Sequence, residues 1–538
     1  MATAPNWNFG DLLDALDASF PAGSPALIHD GAVTSWGDFA RRSNNLAAAL
    51  RELGAQPDDK VGFYLRNRPE YVETLAACFK ARLVHVNVNY RYLDDELWYI
   101  FDNSDAKVVL FDGEFADRVA KLRERLPRVA AWVQVGGAPL DFAIPYESLA
   151  TRGDGRPLGI ARDGKDLLFL YTGGTTGMPK GVMWAANDLW HALGAGVNAP
   201  ANGGKAPATL EEHVANVVKA GPLAKQLPCC PLMHGTGLFT AIGTISAGGC
   251  VVTTPGHKFD PVELYDTVQR HQVNSLVIVG DAFAKPMLNA LDENPGRWDI
   301  SSVKLIVSSG VMWSTEVKKG LLRHNPGMIL TDSFGSSEAV GFGSSIMTAA
   351  GEVKTAKFTI GERCKVFSED HRELAPGSGE KGFIARSGPI PVGYYKDAEK
   401  SAKTFPTIAG VRYSIPGDWC IVEADGTLTL LGRGSACINS AGEKIYPEEV
   451  EEALKTHPDV EDALVVGVPD DRWGNAVAAV VQLRAGATLD EEKLRAHTRE
   501  KLAAYKLPKR VFEVPVMFRA PNGKADYKSA QAFAAAKY

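Results

Sequence analysis

An α/β fold in two parts is what this sequence predicts: a large N-terminal domain on parallel α/β sheets, with a β-rich subdomain at about 354–431, and a small α+β domain over 433–538. Three observations predict it. Up to about residue 310 the apolar residues switch repeatedly between helical and strand period, which is the rhythm of βαβ units. From Lys354 to Leu431 the runs shorten and turn on glycines, as antiparallel strands do. Beyond Gly432 a helix, two strands and another helix follow, and 538 residues exceed what one core holds.

Each element has its own signal. WGDFARRSNNLAAALRELG, from Trp36, spaces its apolar residues as a helix and stops at Gly54, and KVGFYL then reads as a buried strand. EYVETLAACFKA leads into VHVNVN, DDELWYIFDNS into KVVLFD, and DRVAKLRERL into AAWVQVG. The rhythm returns with PVELYDTVQRHQ before SLVIV and VKLIVSSG. Between these blocks, residues 193–226 are rich in Gly, Ala and Pro and predict an inserted loop with one short helix. GEKGFIARSG and CIVEADGTLTLLG, the latter with an Asp-Gly turn, predict antiparallel strands. A boundary is expected near LGRGSACIN. After it YPEEVEEALKTH is an amphipathic helix, DALVVGV and AVAAVVQL are paired strands, and LDEEKLRAHTREKLAAY is a second helix.

Composition narrows the function classes. With 45% hydrophobic and 23% charged residues and a net charge of -6, the chain has no overall positive field to draw polyanions, so no nucleic-acid partner is expected. Seven cysteines (Cys78, Cys229, Cys230, Cys250, Cys364, Cys420 and Cys437) form no C-x-x-C pair and read as reduced thiols. The start, MATAPNWNFGDLLDAL, lacks a basic segment followed by an apolar one, and no apolar run reaches the ~20 residues of a membrane span. The expectation is a cytoplasmic protein with no integral membrane segment, monomer or homodimer being left open.

The segment YTGGTTGMPKGVMW (171–184) is the strongest local signal. LLFLYT before it reads as a strand, so the chain passes from a sheet into a turn whose N–H groups can converge on an anion. Thr172, Thr175 and Thr176 add hydroxyl donors, Lys180 adds a charge, and Gly173, Gly174 and Gly177 permit close backbone approach. From glycine content alone, a mobile surface turn reads equally well. It is not a Walker A loop, because Met178 and Pro179 precede the lysine and Gly181 follows it.

In order along the chain, YTGGTTGMPKG, DSFGSSE (332–338), SIPGDW (414–419), LGRGSACINSAGEKIYPEEVE (431–451) and PNGKADY (521–527) resemble the motifs of the adenylate-forming superfamily of acyl-CoA synthetases, adenylation domains and luciferases. The match covers nearly the whole chain. The resemblance implies that a carboxylic acid attacks ATP to form an acyl-adenylate, releasing pyrophosphate, before CoA takes the acyl group, with Mg²⁺ assisting. It implies further that the small domain is mobile, one pose making the adenylate and a rotated pose admitting the thiol.

Residue roles follow from the same resemblance. Thr172 to Gly177 and Lys180 hold the β- and γ-phosphates; Ser309, Gly310, Ser333 and Gly335 border the nucleotide; Phe334 stacks on adenine and Asp332 accepts from its exocyclic amine. Ser337 contacts the α-phosphate and Glu338 is the Mg²⁺ ligand. Asp418 grips the ribose hydroxyls, Arg433 lies near ribose and phosphates, and Lys524 binds the carboxylate and α-phosphate during adenylation. Phe334 and Ser337 stand where the family usually has Tyr and Thr, and they keep the ring and the hydroxyl. The hinge falls at Ser435, where relatives usually carry Asp or Lys. Gly442, Glu443, Lys444 and Trp473 belong to segments that face CoA.

The same resemblance implies that His234 lies near the acyl carboxylate, with Gly235, Val311, Met312 and Gly341 bordering the acyl pocket. The segments 229–249, 308–313 and 339–343 contain no Asp or Glu to pair a substrate ammonium, so an amino acid is disfavoured as substrate. Their many glycines, with Phe239, Trp313 and Phe342 as bulk, imply a roomy apolar pocket. The texture of the motifs is closest to ligases of fatty acids and bulky alicyclic or steroid side-chain acids. Two other readings compete: an adenylating enzyme that loads a carrier protein, and a non-catalytic ligand-binding paralogue.

Overall fold

The computed structural model describes residues 6–172, 178–196, 206–220, 223–311, 313–351, 357–433, 438–440, 443–470, 474–502, 504–520 and 523–538. Gly173, Gly174, Thr175, Thr176, Gly177, Met312, Ser435, Gly442 and Trp473 lie outside these residues, as do the side chains of Arg433, Glu443 and Lys444. The chain divides into two compact units, residues 1–353 with 387–414, and residues 354–386 with 415–538.

The first unit carries the predicted βαβ rhythm. One sheet runs Gly393–Tyr394, Lys180–Ala185, Leu167–Thr172, Val84–Asn87, Lys60–Tyr64, Ala106–Asp112, Ala131–Val135, Ile144–Pro145 in spatial order. Its neighbours from Leu167–Thr172 onward are parallel, while Lys180–Ala185 folds back antiparallel. A second sheet has the order Ala32–Ser35, Pro25–His29, Cys250–Thr253, Lys225–Pro228, Ser275–Ile278, Leu305–Ser309, Ile329–Ser336, Ala339–Met347, parallel except at the two outer pairs given. Parallel strands with helices on both faces bury both faces, which is why VHVN and SLVI are buried at every residue. Helix Trp36–Glu52 starts on the Ser35 side chain, which accepts from Asp38 N–H, and ends just before Gly54, whose φ of +94° suits glycine.

Residues 387–414 lie in the first unit although they fall inside the stretch read from sequence as β-rich. Gly393–Tyr394 pairs with Met183 and Val182, a partnership more than two hundred residues distant that no local pattern announces. Within the 193–226 insertion, helix Leu210–Ala220 is present as expected. Its buried His213 shares a hydrogen bond of 2.8 Å between Nε2 and Ser246 O, at the far end of helix Gly235–Ser246 from His234.

The second unit opens with antiparallel strands in the order Lys357–Ile360, Thr427–Arg433, Asp418–Val422, Lys381–Ser387, with Cys364–Phe367 beside the last. A three-stranded sheet follows: Val460–Asp470 antiparallel to Gly474–Leu483, and that strand parallel to Arg510–Glu513. Alternation assigns its two faces. Ala463, Val465, Val477, Ala479 and Val481 pack with Val450, Leu454 and Leu494, whereas Leu464, Val466, Ala478 and Val480 pack with Ala530 and Ala534. Helices thus cover both sides, and the strands are apolar through their middles, residues 463–468 and 476–481. The helix predicted over LDEEKLRAHTREKLAAY is shorter, Glu491–Arg499; it closes in a turn where Lys501 and Leu502 N–H both bond Thr498 O.

Candidate active site

Strand Ile329–Ser336 carries the first half of DSFGSSE. It is parallel to Leu305–Ser309, pairing Ser308 with Asp332 and Ser309 with Ser333, so Ser309, Gly310, Ser333 and Phe334 emerge together at the carboxyl ends of adjacent parallel strands. That is the end where open α/β sheets bind ligands. Gly310 at φ +92° and Gly341 at φ +78° take backbone conformations that favour glycine. On either side of Gly310, Asp281 Oδ1 accepts from Ser314 N–H at 2.9 Å, and Ser308 Oγ accepts from Gly280 N–H at 2.9 Å. Phe334 is buried with its ring centroid 5.3 Å from that of Phe342.

Asp332 is buried, and Lys318 Nζ on helix Thr315–His324 lies 3.2 Å from its Oδ2. Burial pushes its carboxyl up to about 6 from 3.8, with Lys318 opposing the rise. The folded chain therefore holds this proton more tightly than the unfolded chain. The stabilising contribution is complete below about 3.8 and is lost as pH rises through about 6.

Glu338 is likewise buried, and two residues missed by the sequence reading hold it. Tyr394 donates its hydroxyl to Glu338 Oε1 at 2.9 Å, and Ser414 donates to the Glu338 carbonyl at 2.6 Å. Trp184 Nε1 donates to Ser337 O at 2.9 Å, which ties the hairpin strand Lys180–Ala185 to the same motif. Among the described residues no group of three or more His, Cys, Asp or Glu gathers as a metal cage. A single oriented carboxylate suits Mg²⁺, which keeps several waters and needs one or two carboxylates beside substrate phosphates.

The predicted phosphate loop joins Leu167–Thr172 to Lys180–Ala185, with Thr172 directly opposite Lys180 where the hairpin opens. The Lys180 ammonium pairs with Asp397, whose other oxygen accepts from Lys400 N–H at 2.9 Å and caps the helix Ala398–Thr404. Lys180 beside it holds the Asp397 carboxyl below the usual carboxylate range. Phosphate arriving at Lys180 must compete with this carboxylate.

Asn87 joins two predicted site segments. Its side chain accepts from Tyr171 N–H at 2.6 Å, donates to Tyr171 O at 2.9 Å, and donates to Met233 O at 2.7 Å. Tyr171 immediately precedes Thr172 and Met233 immediately precedes His234. Asn67 adds a second clasp, accepting from Leu232 N–H at 2.7 Å and donating to Cys230 O at 3.0 Å. His234 is the N-cap of helix Gly235–Ser246 and is half-buried; a Cβ on Gly235 would stand 3.1 Å from Leu170 Cδ2, and one on Gly237 would stand 2.6 Å from Pro231 O. Asn87→Ala removes all three bonds, at about 1–3 kcal/mol for each buried group left unpaired. Thermal unfolding is expected to shift markedly downward, with a raised KM for ATP in steady-state assays.

The bulk expected at the acyl pocket is buried. Trp313 and Phe342 have no exposed surface, Trp313 packing among the residues under helix Thr315–His324 and Phe342 against Phe334. Phe239 is also buried, edge-on to Trp184 at 6.1 Å. Cys230 is a small core residue as expected, and burial pushes the Cys230 thiol up to about 12.

In the second unit Asp418 opens a strand after Gly417, φ +103°, and is buried; it stands directly opposite Arg433 in the antiparallel ladder. Trp419 packs with Tyr446, ring centroids 5.8 Å apart. Lys524 is exposed and follows Gly523, φ +80°. Among the cations that follow Asp490, Lys493 pairs with Asp459, Lys506 with Glu449, and Arg495 and Arg510 with Glu491.

This set of motif positions has a match among known proteins. The sequence profile described as AMP-binding enzyme covers residues 14–395, and that of the AMP-binding enzyme C-terminal domain covers 449–524. The chain belongs to the AMP-binding enzyme family. A 3-oxocholest-4-en-26-oate–CoA ligase of Rhodococcus rhodochrous is 43% identical over 517 residues, 94% of this chain and 92% of that one. A medium/long-chain-fatty-acid–CoA/3-oxocholest-4-en-26-oate–CoA ligase of Mycolicibacterium smegmatis is 42% identical over 517 residues, 94% and 93% of the two chains. In fold, the AMP-binding enzyme resembles an anthranilate CoA ligase crystallised with anthranoyl-AMP, TM-score 0.84 at 22% identity over 99% and 98% of the chains. Among its described residues no helix is long and apolar enough to cross a membrane.

Proposed function

We propose that this AMP-binding enzyme is an ATP-dependent acyl-CoA synthetase for a large apolar carboxylic acid, a fatty acid of medium or long chain or a steroid side-chain acid. The observation that carries the substrate class is the 41–43% identity, over more than nine-tenths of each chain, to relatives named as ligases of those acids. The absence of any Asp or Glu from 229–249, 308–313 and 339–343 supports it, since an ammonium substrate would lack a partner there.

In the first half-reaction a carboxylate oxygen attacks the α-phosphorus, the bond to the bridging oxygen breaks, and pyrophosphate leaves. In the second, the CoA sulfur attacks the acyl carbonyl, AMP leaves, and the thiol proton passes to solvent. Glu338, its carboxylate oriented by Tyr394, would hold Mg²⁺, which when bound with ATP would supply positive charge against the phosphates. Lys180 and Thr172 take the terminal phosphates, Ser337 the α-phosphate, Phe334 and Asp332 the adenine, with Ser309, Gly310, Ser333 and Gly335 around the nucleotide. Asp418 takes the ribose hydroxyls and Arg433 the neighbouring phosphates. Lys524 draws the attacking carboxylate and the α-phosphate together, two anions that repel without a cation between them. His234, Gly235, Val311 and Gly341 border the acid, and Glu443 and Lys444 the CoA.

We divide the chain after Gly432 into an adenylate-forming domain and a mobile domain that turns at Ser435, and we place the enzyme in the cytoplasm. The test is pyrophosphate release from ATP and Mg²⁺ across short, medium and long fatty acids, aryl acids, amino acids and steroid side-chain acids, with and without CoA. CoA-dependent turnover confined to large apolar acids is expected; preference for short, aryl or amino acids would overturn the substrate class.

The adenine role of Asp332 also predicts a pH dependence. Its charged form is the better acceptor for the exocyclic amine, so kcat/KM for ATP should fall as pH drops through about 6. Asp332→Asn should remove that acid limb, because an amide oxygen accepts at any pH.

A further inference from the structure

The loop that presents Lys524 is braced by a polar cluster that the proposed mechanism leaves without a role. Arg519 binds Asp462 through two parallel bonds, Nε to Oδ2 at 2.5 Å and Nη2 to Oδ1 at 2.7 Å. Its remaining nitrogen, Nη1, donates to Gly523 O at 3.1 Å, the carbonyl of the residue immediately before Lys524. The guanidinium fork therefore ties the loop to strand Val460–Asp470 at the base of the catalytic lysine.

The backbone of the loop is closed in the same place. Ala520 N–H donates to Lys524 O at 2.8 Å, Gly523 N–H donates to Ala520 O at 2.8 Å, and Arg519 bridges Ala525. Beyond the loop, Tyr527 donates to Glu451 Oε2 at 3.3 Å, and Glu451 Oε1 accepts from Val465 N–H at 2.9 Å on the same strand. Burial opposes the charge on Asp462, yet the Arg519 guanidinium keeps its carboxyl below the usual range, so the pair stays ionised at neutral pH. Arg519 directly, and Tyr527 through Glu451, thus tie the chain on either side of Lys524 to one strand, while Lys524 itself is exposed.

We infer that Arg519, clamped by Asp462, is the positioning residue for Lys524, fixing the height and direction from which the ammonium reaches the carboxylate and α-phosphate. The inference rests on the role given to Lys524 in adenylation. A lysine has four rotatable bonds beyond its backbone, and a loose base would spread its ammonium over many poses; a displacement of about 1 Å can cost up to ~10²-fold in rate. Lysine at position 519 keeps a cation beside Asp462 but cannot form the fork and bond Gly523 O together, so Arg519→Lys separates positioning from folding.

The experiment measures the half-reactions separately in the full-length enzyme. Acyl-AMP formation is followed by pyrophosphate release, and thioester formation by supplying acyl-AMP and CoA. Arg519→Lys should slow acyl-AMP formation about 10-fold or more and leave the thioester step within about twofold. Arg519→Gln should slow the first step further. In a Lys524→Ala background neither change should slow it again, because two residues acting through one contact are not additive.

An equal fall in both half-reactions for Arg519→Lys would reduce Arg519 to fold support and overturn the inference, as would a full additional loss in the Lys524→Ala background. If Lys524→Ala is inactive in adenylation while both Arg519 variants are silent, only the positioning role falls. If Lys524→Ala itself spares acyl-AMP formation, the adenylation role of Lys524 fails, and with it the reason for its brace.

Discussion

Lys524→Ala should lower acyl-AMP formation by about 10²–10³-fold, the size expected when one preorganised charge donor is lost from a transition state. Substrate carboxylate and α-phosphate are both anionic, and the new bond draws them to bonding distance. Lys524, on an anchored loop with Gly523 at φ +80°, supplies the cation that the reaction lacks. The effect should appear in kcat more than in the KM for ATP, because the terminal phosphates and adenine are assigned to other residues. The same variant should convert supplied acyl-AMP and CoA to thioester at close to the native rate. Pyrophosphate release with acid and ATP, and thioester formation from acyl-AMP, check the two halves.

Glu338→Gln is expected to be as damaging, by a different route. The substitution keeps an oxygen for the Tyr394 hydroxyl to donate to and keeps the backbone bond from Ser414. It removes only the charge. Adenylation should fall about 10²–10³-fold at ordinary Mg²⁺ concentration, with partial recovery as Mg²⁺ is raised. Titration calorimetry should show weaker binding of Mg²⁺–ATP and little change for ATP alone. Native-like binding of Mg²⁺–ATP by this variant would remove Glu338 from the metal site.

Local pattern carried much of this fold and less of its site. Helix Trp36–Glu52 and the strand Lys60–Tyr64 could be read because apolar period and caps are properties of neighbouring residues. The apolar runs DALVVGV and AVAAVVQL could be read as paired strands for the same reason, and they lie in Val460–Asp470 and Gly474–Leu483. Motif segments such as DSFGSSE could be recognised because their residues are consecutive.

What holds those segments could not be read, since it comes from afar. Asn87 reaches Tyr171 and Met233 across 84 and 146 residues, and Tyr394 reaches Glu338 across 56. One signal was available for Asn87. An amide inside the apolar run VHVNVN, in a strand buried on both faces, must find partners. Lys318 gave no such sign, because a lysine on helix Thr315–His324 reads as solvent-facing until Asp332 is seen beneath it. Trp313 and Phe342, expected to shape the acyl pocket, are fully buried, a degree of packing that depends on distant side chains rather than on sequence neighbourhood.

The central claim is that this enzyme passes through an acyl-adenylate on the way to a thioester. Exchange of labelled pyrophosphate into ATP, measured with a long-chain or steroid side-chain acid and without CoA, tests it most directly. Exchange that requires the acid, and that gives way to equal amounts of AMP and acyl-CoA when CoA is added, is the predicted result. Exchange indifferent to the acid, or ADP and phosphate as the products, would contradict it.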